Sequence, residues 1–436
     1  MITKLRNFSK SKKGNVLLGT AVQLLSVLAL FVKQIALIPV YLKYIDPATY
    51  GTWIAIQSVG GLFYIFNPGF SDYFRQRLAK AYGASDQCKI RLEYSRLIFF
   101  QFALSFLIGG AGLCAWFFGG IPWLLGKPNL SASLDCSYLL MLIGVVLVLL
   151  SQAYAVLNMA LMRAPLVAVV ALFANIVSVL VIYLSVKATG VVSIPLGAVG
   201  FSLIILCGNM WIANSLRKKV NAVYIDWRVG LRFYQVSGLG YTFGARISRI
   251  LLTSLDSIIL FRFFGESTVI VYDIVKKLMS FGSVVMDKIA NQLVAPIASK
   301  VAEVGHASYR RLELRLLISG YSGPAVFFVL ATLLSKYVIT HWVGVEYYHS
   351  LLFSMLVSLY LTGIMCARWG MNLVFSRGDF KATFIGNLLL LVFVNSGRCI
   401  GGFYGDVDMY VCLQALPVVV LICAFPFFMF RQNQAN

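Results

Sequence analysis

Apolar residues dominate long runs along most of the chain, and short polar connectors separate these runs. A run of about 20 apolar residues is long enough for an α-helix to cross a lipid bilayer. The pattern predicts spans at residues 16–41, 50–70, 95–119, 136–161, 164–185, 190–214, 237–263, 268–298, 316–338, 348–375, 382–400 and 409–430. We therefore expect an all-α, polytopic membrane protein with about twelve transmembrane helices.

Lysine and arginine concentrate in every second connector. The segments 71–94, 216–235 and 301–315 are strongly basic, whereas the alternate connectors carry little beyond Lys43, Lys127, Lys187, Arg262 and Lys336. Basic connectors are retained on the cytoplasmic side of a membrane. The alternation therefore predicts an even number of spans and both termini in the cytoplasm.

The two halves of the chain resemble each other weakly. Residues 44–51 join the first two predicted spans, and residues 264–273 join the seventh and eighth; each passes from an apolar run through an acidic connector to a helix that begins with aromatic residues. An even number of spans in each half makes the repeats parallel. We expect an N-terminal six-helix bundle at 1–214, a cytoplasmic linker at 215–235 and a C-terminal six-helix bundle at 236–436, arranged around a central cavity.

Composition excludes several classes of function. Of the 436 residues, 60% are hydrophobic and 12% are charged, which no soluble domain of this size matches. The net charge of +21 lies in connectors and helix ends rather than on one long basic face, so we expect no nucleic-acid partner. The eight cysteines and three histidines lack metal-site spacing, and no nucleotide-binding loop or large connector is present. We expect no cofactor, no metal and no enzymatic activity.

Residues 236–302 combine apolar runs with repeated full charges. On an ideal helix Arg249 and Asp256 lie about 20° apart, and the next helix places Asp273, Lys276 and Lys277 near one line. A charge in the middle of a bilayer costs at least about 2.5–3.5 kcal/mol, so such residues face a partner or a watery cavity. Two neighbouring charged faces predict a wet, charged lumen between helices.

Five short stretches resemble a known family. They are Leu255–Leu260, Tyr272–Leu278, Val294–Ile297, Asn67–Ser71 and Tyr82–Asp86. They are similar to stretches of the O-antigen and exopolysaccharide flippases (Wzx type) of the multidrug/oligosaccharidyl-lipid/polysaccharide (MOP) exporter superfamily. The resemblance implies two bundles of helices in the bacterial inner membrane. It also implies that an undecaprenyl-pyrophosphate-linked oligosaccharide is flipped to the periplasmic leaflet.

That substrate requires cations within the membrane, polar groups for the sugar and a lateral opening for the lipid tail. The candidate cations of the lumen are Lys33, Arg246, Arg249, Lys276, Lys277 and Arg368. Arginine can hold phosphate through two parallel hydrogen bonds, whereas lysine acts as a point charge. Tyr64, Tyr241 and Asn372 are candidate sugar contacts. Further partners would be membrane lipids, and a polysaccharide polymerase and chain-length regulator.

Several roles stay open at this stage. Lys276 and Lys277 either line the lumen or pair with Asp256 and Asp273, and Asp256 either orients Arg249 or carries a coupling proton. Arg398 is a further candidate cation of the lumen, but we expect it and Lys288 to extend to the membrane surface, because long basic side chains near helix ends do so. As an overall function, a cation-coupled multidrug exporter is the alternative to a flippase, although the excess of intramembrane lysine and arginine disfavours it.

Overall fold

A computed structural model describes the backbone of residues 12–63, 70–127, 130–161, 163–217, 239–376 and 380–431. Within these ranges some side chains are not described, chiefly at 12–24, 283–314 and 423–431. Tyr64, Lys288 and most of the predicted linker 215–235 lie outside the residues whose side chains are described.

The described secondary structure is helical and contains no strand. We number the α-helices α1 Lys12–Tyr44, α2 Pro47–Phe63, α3 Phe70–Gly83, α4 Gln87–Phe117, α5 Gly120–Leu125, α6 Ala132–Ala160, α7 Ala164–Thr189, α8 Ser193–Arg217, α9 Leu239–Trp342, α10 Leu351–Ser376, α11 Phe380–Tyr404 and α12 Val407–Arg431. Short 3₁₀ turns lie at Gly190–Val192 and Val345–Tyr347. The all-α prediction is confirmed.

The long helical stretch α9 reverses its direction along its length. In a straight helix, the 20 residues between Asp256 and Lys276 would separate them by about 30 Å, yet their side chains meet at 2.8 Å. Gly265, between them, has a φ of +77°, which glycine adopts without steric cost. A second reversal separates Gly282 from Phe327, whose ring lies 2.8 Å from the position of a Cβ at Gly282. The stretch therefore contains the predicted spans 237–263, 268–298 and 316–338.

Six helical stretches among the described residues are long and apolar enough to cross a membrane. They are Gln87–Phe117, Ala132–Ala160, Ala164–Ser215, Arg315–Trp342, Leu351–Val374 and Lys381–Tyr404. The third of these contains both α7 and α8. The chain is therefore a multi-pass membrane protein.

The backbone forms two compact units. The first comprises Met1–Ile45 and Phe63–Val236, and the second comprises Asp46–Leu62 and Ser237–Asn436. Helix α2 therefore belongs to the C-terminal unit, whereas the predicted boundary places it in the N-terminal bundle. The division into two six-helix bundles stays a prediction.

Two glycines explain how α2 fits into the C-terminal unit. A Cβ at Gly51 would lie 2.6 Å from the backbone oxygen of Glu266, and a Cβ at Gly61 would lie 2.7 Å from the hydroxyl of Ser254. Small residues allow membrane helices to approach this closely. Because the order of the contacts is reversed between the two segments, α2 runs antiparallel to the part of α9 that precedes Gly265.

In the N-terminal unit, α3 occupies the predicted basic connector 71–94 and packs against α4 and α6. Its apolar side chains, including Phe74 and Leu78, join a core cluster with residues of α4 and α6. Beside this cluster, the buried carboxylate of Glu93 accepts from Arg77 at 2.9 Å and from Arg96 at 3.4 Å. The Arg77–Glu93 pair holds the polar side of α3 on α4, and the Arg96–Glu93 pair lies within α4.

Candidate functional site

A buried carboxylate lies at the centre of the C-terminal unit. Asp256 of α9 is 1% exposed, and its Oδ2 accepts from Lys276 Nζ at 2.8 Å and from the Tyr272 hydroxyl at 3.2 Å. Its Oδ1 accepts from the backbone N–H of Ser257 at 2.7 Å. Lys276 Nζ also donates to the backbone oxygen of Thr253 at 3.1 Å. The carboxylate is thus ion-paired and hydrogen-bonded on both oxygens.

A buried arginine lies in the same cluster. Arg398 of α11 is 0% exposed. Its Nη2 donates to the backbone oxygen of Leu252 at 3.0 Å and to the Tyr360 hydroxyl at 2.8 Å, and its Nη1 donates to Asn395 Oδ1 at 2.8 Å. The prediction that Arg398 extends to the membrane surface is therefore wrong. These interior oxygen acceptors replace the water that a surface position would supply.

Helix α12 completes the cluster. The Tyr410 hydroxyl donates to the backbone oxygen of Asp256 at 3.2 Å, and Gln414 Nε2 donates to the Tyr272 hydroxyl at 3.1 Å. We call the whole group the Asp256 network. Its members are Leu252, Thr253, Asp256, Ser257, Tyr272, Lys276, Tyr360, Asn395, Arg398, Tyr410 and Gln414. It joins α9, α10, α11 and α12, and it contains two cations for one carboxylate.

The residue after Lys276 on α9 forms a second ion pair. Lys277 Nζ lies 2.6 Å from Asp273 Oδ2 and donates to the Tyr50 hydroxyl at 3.3 Å. Tyr50 comes from α2, which belongs to the same unit. The side chains of Lys277 and Asp273 are 21% and 12% exposed, so both remain partly accessible.

The lysine of the N-terminal unit has a different environment. Lys33 Nζ donates to the Ser178 hydroxyl at 2.6 Å and lies 5.5 Å from the centre of the Phe201 ring. Among the described residues, no carboxylate forms an ion pair with it. Within the described residues, the ammonium group of Lys33 therefore contacts only neutral partners.

The other predicted residues lie at varied depths. Arg246 is exposed, whereas Arg249, Arg368 and Asn372 are partly buried. Tyr241 is exposed, and its ring centre lies 6.1 Å from that of Phe384. The three arginines all make interactions in the structure.

The sequence analysis missed the neutral part of the Asp256 network. Tyr272, Tyr360, Tyr410 and Gln414 are each at most 1% exposed. The available signal was the presence of Gln414 and of hydroxyl groups inside apolar spans, where a polar group needs a partner. Among the described residues no cluster of three or more histidine, cysteine or acidic side chains is arranged to hold a metal ion.

Comparison with known proteins gives matches among solved structures. No protein-family model and no curated protein sequence matches the chain. An inward-facing multidrug resistance MATE family transporter of the MOP superfamily aligns with a TM-score of 0.71 and 11% identity, over 96% of this chain and 99% of that one. The lipid II flippase MurJ in an inward closed conformation aligns with a TM-score of 0.70 and 12% identity, over 95% and 87%.

A third structure, a mutant of the Vibrio cholerae MATE transporter VcmN, aligns with a TM-score of 0.66 and 14% identity, over 100% of this chain and 99% of that one. The chain has the MATE and MurJ fold. The comparison therefore supports the helical transporter fold that the resemblance found in the sequence implies.

Proposed function

We propose that the chain is a flippase. It would carry an undecaprenyl-pyrophosphate-linked oligosaccharide, an O-antigen or related polysaccharide repeat unit, from the cytoplasmic to the periplasmic leaflet by alternating access. The observation that carries the proposal is the excess of positive charge inside the helical units. Lys33 has only neutral partners among the described residues, and the Asp256 network holds Lys276 and Arg398 against one carboxylate.

The chemistry of the proposed substrate is complementary to this excess of positive charge. A lipid-linked pyrophosphate carries two or more negative charges and a sugar head that cannot cross hydrocarbon, while its tail stays in the bilayer. Anions are bound most strongly by charge-assisted hydrogen bonds from lysine and arginine. The substrate-binding cations of the proposal are Lys33, Arg246, Arg249, Lys276, Lys277 and Arg368. Asp256 and Asp273 would serve as the counter-charges of Lys276 and Lys277, or couple transport to an ion.

The same proposal specifies the membrane, the orientation and the partners of the protein. It would lie in the bacterial inner membrane with both termini in the cytoplasm. Its partners would be membrane lipids and, downstream of flipping, a polysaccharide polymerase and a chain-length regulator. The fold similarity to the lipid II flippase supports a lipid-linked substrate.

Reconstituted protein tests the proposal directly. The purified chain is reconstituted into liposomes with a fluorescent undecaprenyl-pyrophosphate oligosaccharide, and a membrane-impermeant oxidant of sugars is added outside. Flipping brings substrate to the outer leaflet, so the oxidant should react with the sugar faster than in protein-free liposomes. The Lys33→Met protein should lose most of this rate. Equal rates with and without protein would refute the flippase function.

The second candidate is a cation-coupled multidrug exporter of the multidrug and toxin extrusion group. The fold similarity to MATE transporters favours it. A cationic drug needs an available carboxylate or aromatic cavity, and Asp256 and Asp273 are both engaged by lysines. Export of ethidium from cells expressing the chain, abolished by Asp256→Asn, would favour this candidate over the flippase.

A further inference from the structure

The two cations of the Asp256 network differ in accessibility. The Lys276 side chain is 25% exposed, whereas Asp256 is 1% and Arg398 is 0% exposed. An ammonium group has three donors, and two of those on Lys276 are used by Asp256 and Thr253. Lys276 is thus the cation of the network that an arriving anion can reach, and it has a donor to offer.

Arg398 is fixed in place by its acceptors. Its guanidinium is bonded to α9 through Leu252, to α10 through Tyr360 and to its own helix through Asn395. Leu252 lies one helical turn before Asp256, so the contact with Leu252 places Arg398 Nη2 within one turn of that residue. The Nε–H of Arg398 is buried and has no acceptor among the described residues. Arg398 therefore has one donor that these residues do not use.

We propose that Arg398 is a positioning residue that supplies the permanent counter-charge of Asp256, so that Lys276 can exchange the carboxylate for an anionic phosphate group of the cargo. Removing a counter-ion from a buried carboxylate is strongly destabilising. With Arg398 beside it, Asp256 keeps one cation when Lys276 leaves. The exchange step rests on the proposed flippase function; the counter-charge step does not.

The Lys277–Asp273 pair provides a matched control on the same helical segment. Lys277 has nearly the exposure of Lys276, but its carboxylate partner is 12% exposed, against 1% for Asp256. Burial alone therefore predicts that losing Lys276 destabilises the protein more than losing Lys277. We expect the reverse order because, in the described part of the chain, Asp256 shares a network with a buried arginine and Asp273 does not.

Thermal unfolding of purified full-length protein in detergent tests the counter-charge. We expect Lys276→Gln to lower Tm by less than about 2 °C and Lys277→Gln to lower it by about 4 °C or more. Lys276→Gln combined with Arg398→Gln should lower Tm by more than the two single losses together. A larger loss for Lys276→Gln than for Lys277→Gln, or additive losses in the double variant, would overturn the role of Arg398.

Lysine acetylation followed by mass spectrometry tests the exchange without any cargo. In Arg398→Gln, Asp256 has Lys276 as its remaining counter-ion, so acetylation of Lys276 should fall about tenfold, equivalent to about 1.4 kcal/mol. Adding Asp256→Asn should restore it, and adding Asp273→Asn should not. A rise in Lys276 acetylation in Arg398→Gln, the result of a loosened fold, would overturn the proposal.

Flipping assays separate this inference from the proposed function. If the wild type flips the lipid-linked oligosaccharide, Arg398→Gln should be inactive and Arg398→Gln with Asp256→Asn should recover activity. An active wild type without that recovery overturns the exchange and leaves the flippase function in place. An inactive wild type with the predicted order of Tm values supports the counter-charge and refutes the flippase function.

Discussion

Replacing Lys33 with methionine should stabilise the protein while it impairs transport. Methionine keeps the length and the apolar stem of the side chain but removes the ammonium group. Among the described residues this group has one hydrogen bond, to Ser178, and one ring contact, to Phe201. A residue retained only for the fold would show the opposite effect on stability.

The change in stability caused by Lys33→Met is the difference between two opposing contributions. A lysine within a membrane span costs at least about 2.5–3.5 kcal/mol, and a hydrogen bond to a charged group returns about 1.5–3 kcal/mol. Lys33→Met removes both, so we expect a net gain of about 1 kcal/mol and an increase in Tm of about 2–4 °C. The lost contact to a phosphate group, about 1.5–3 kcal/mol, should weaken apparent substrate affinity roughly 10- to 150-fold.

The assay pairs Tm in detergent with flipping in proteoliposomes over a range of substrate concentrations. Lys43→Met is the control, because Lys43 is exposed on the same helix α1. Lys33→Arg should retain part of the activity, since it retains the charge. A fall in Tm with unchanged transport for Lys33→Met would refute the reasoning.

Three further predictions concern the fold and topology. Glu93→Gln should lower the free energy of unfolding by about 2 kcal/mol, because it removes the buried counter-charge of two arginines; denaturant-dependent proteolysis would measure it, and an unchanged midpoint would contradict it. Gly51→Ala should destabilise by about 1–3 kcal/mol in the same assay, whereas Gly110→Ala, whose Cβ meets open space, should have little effect. A reporter fused after Asn436 should be active in the cytoplasm and one near Pro128 in the periplasm, and the opposite result for either would overturn the predicted orientation.

The sequence was informative wherever hydrophobicity decides the structure. Apolar runs of membrane length gave the helical class, and the connector at Gly265 marked a true reversal inside α9. Helix α3 likewise lies in the segment 71–94, which the sequence distinguishes by its basic charge. In each case the pattern depends on neighbours along the chain, so it can be recognised without knowledge of tertiary contacts.

Tertiary partners were harder to predict from the same residues. The sequence left open whether Asp256 orients Arg249 or pairs with Lys276; the ion pair is to Lys276, which the reversal at Gly265 brings back beside it. Arg398 lies six residues before the end of α11, where basic side chains commonly reach water, but acceptors from α9 and α10 enclose it. In both cases, acceptors on other helices, far away in sequence, decide where a charge can be buried.

The pairing of Lys276 and Lys277 with carboxylates does not by itself argue against a role in binding anions. A cation with no carboxylate partner in the described part of the chain, such as Lys33, has a strong electrostatic attraction for phosphate but destabilises the empty protein. Pairing with a carboxylate lowers that cost. A paired lysine then binds an anion only if separating it from its carboxylate requires little free energy. Under our proposal, the buried arginine of the Asp256 network meets that condition, so a fold with paired lysines would still present a net positive charge to an anionic cargo. The sign of the charge that remains after pairing, rather than the number of cations, is therefore the feature that favours an anionic substrate.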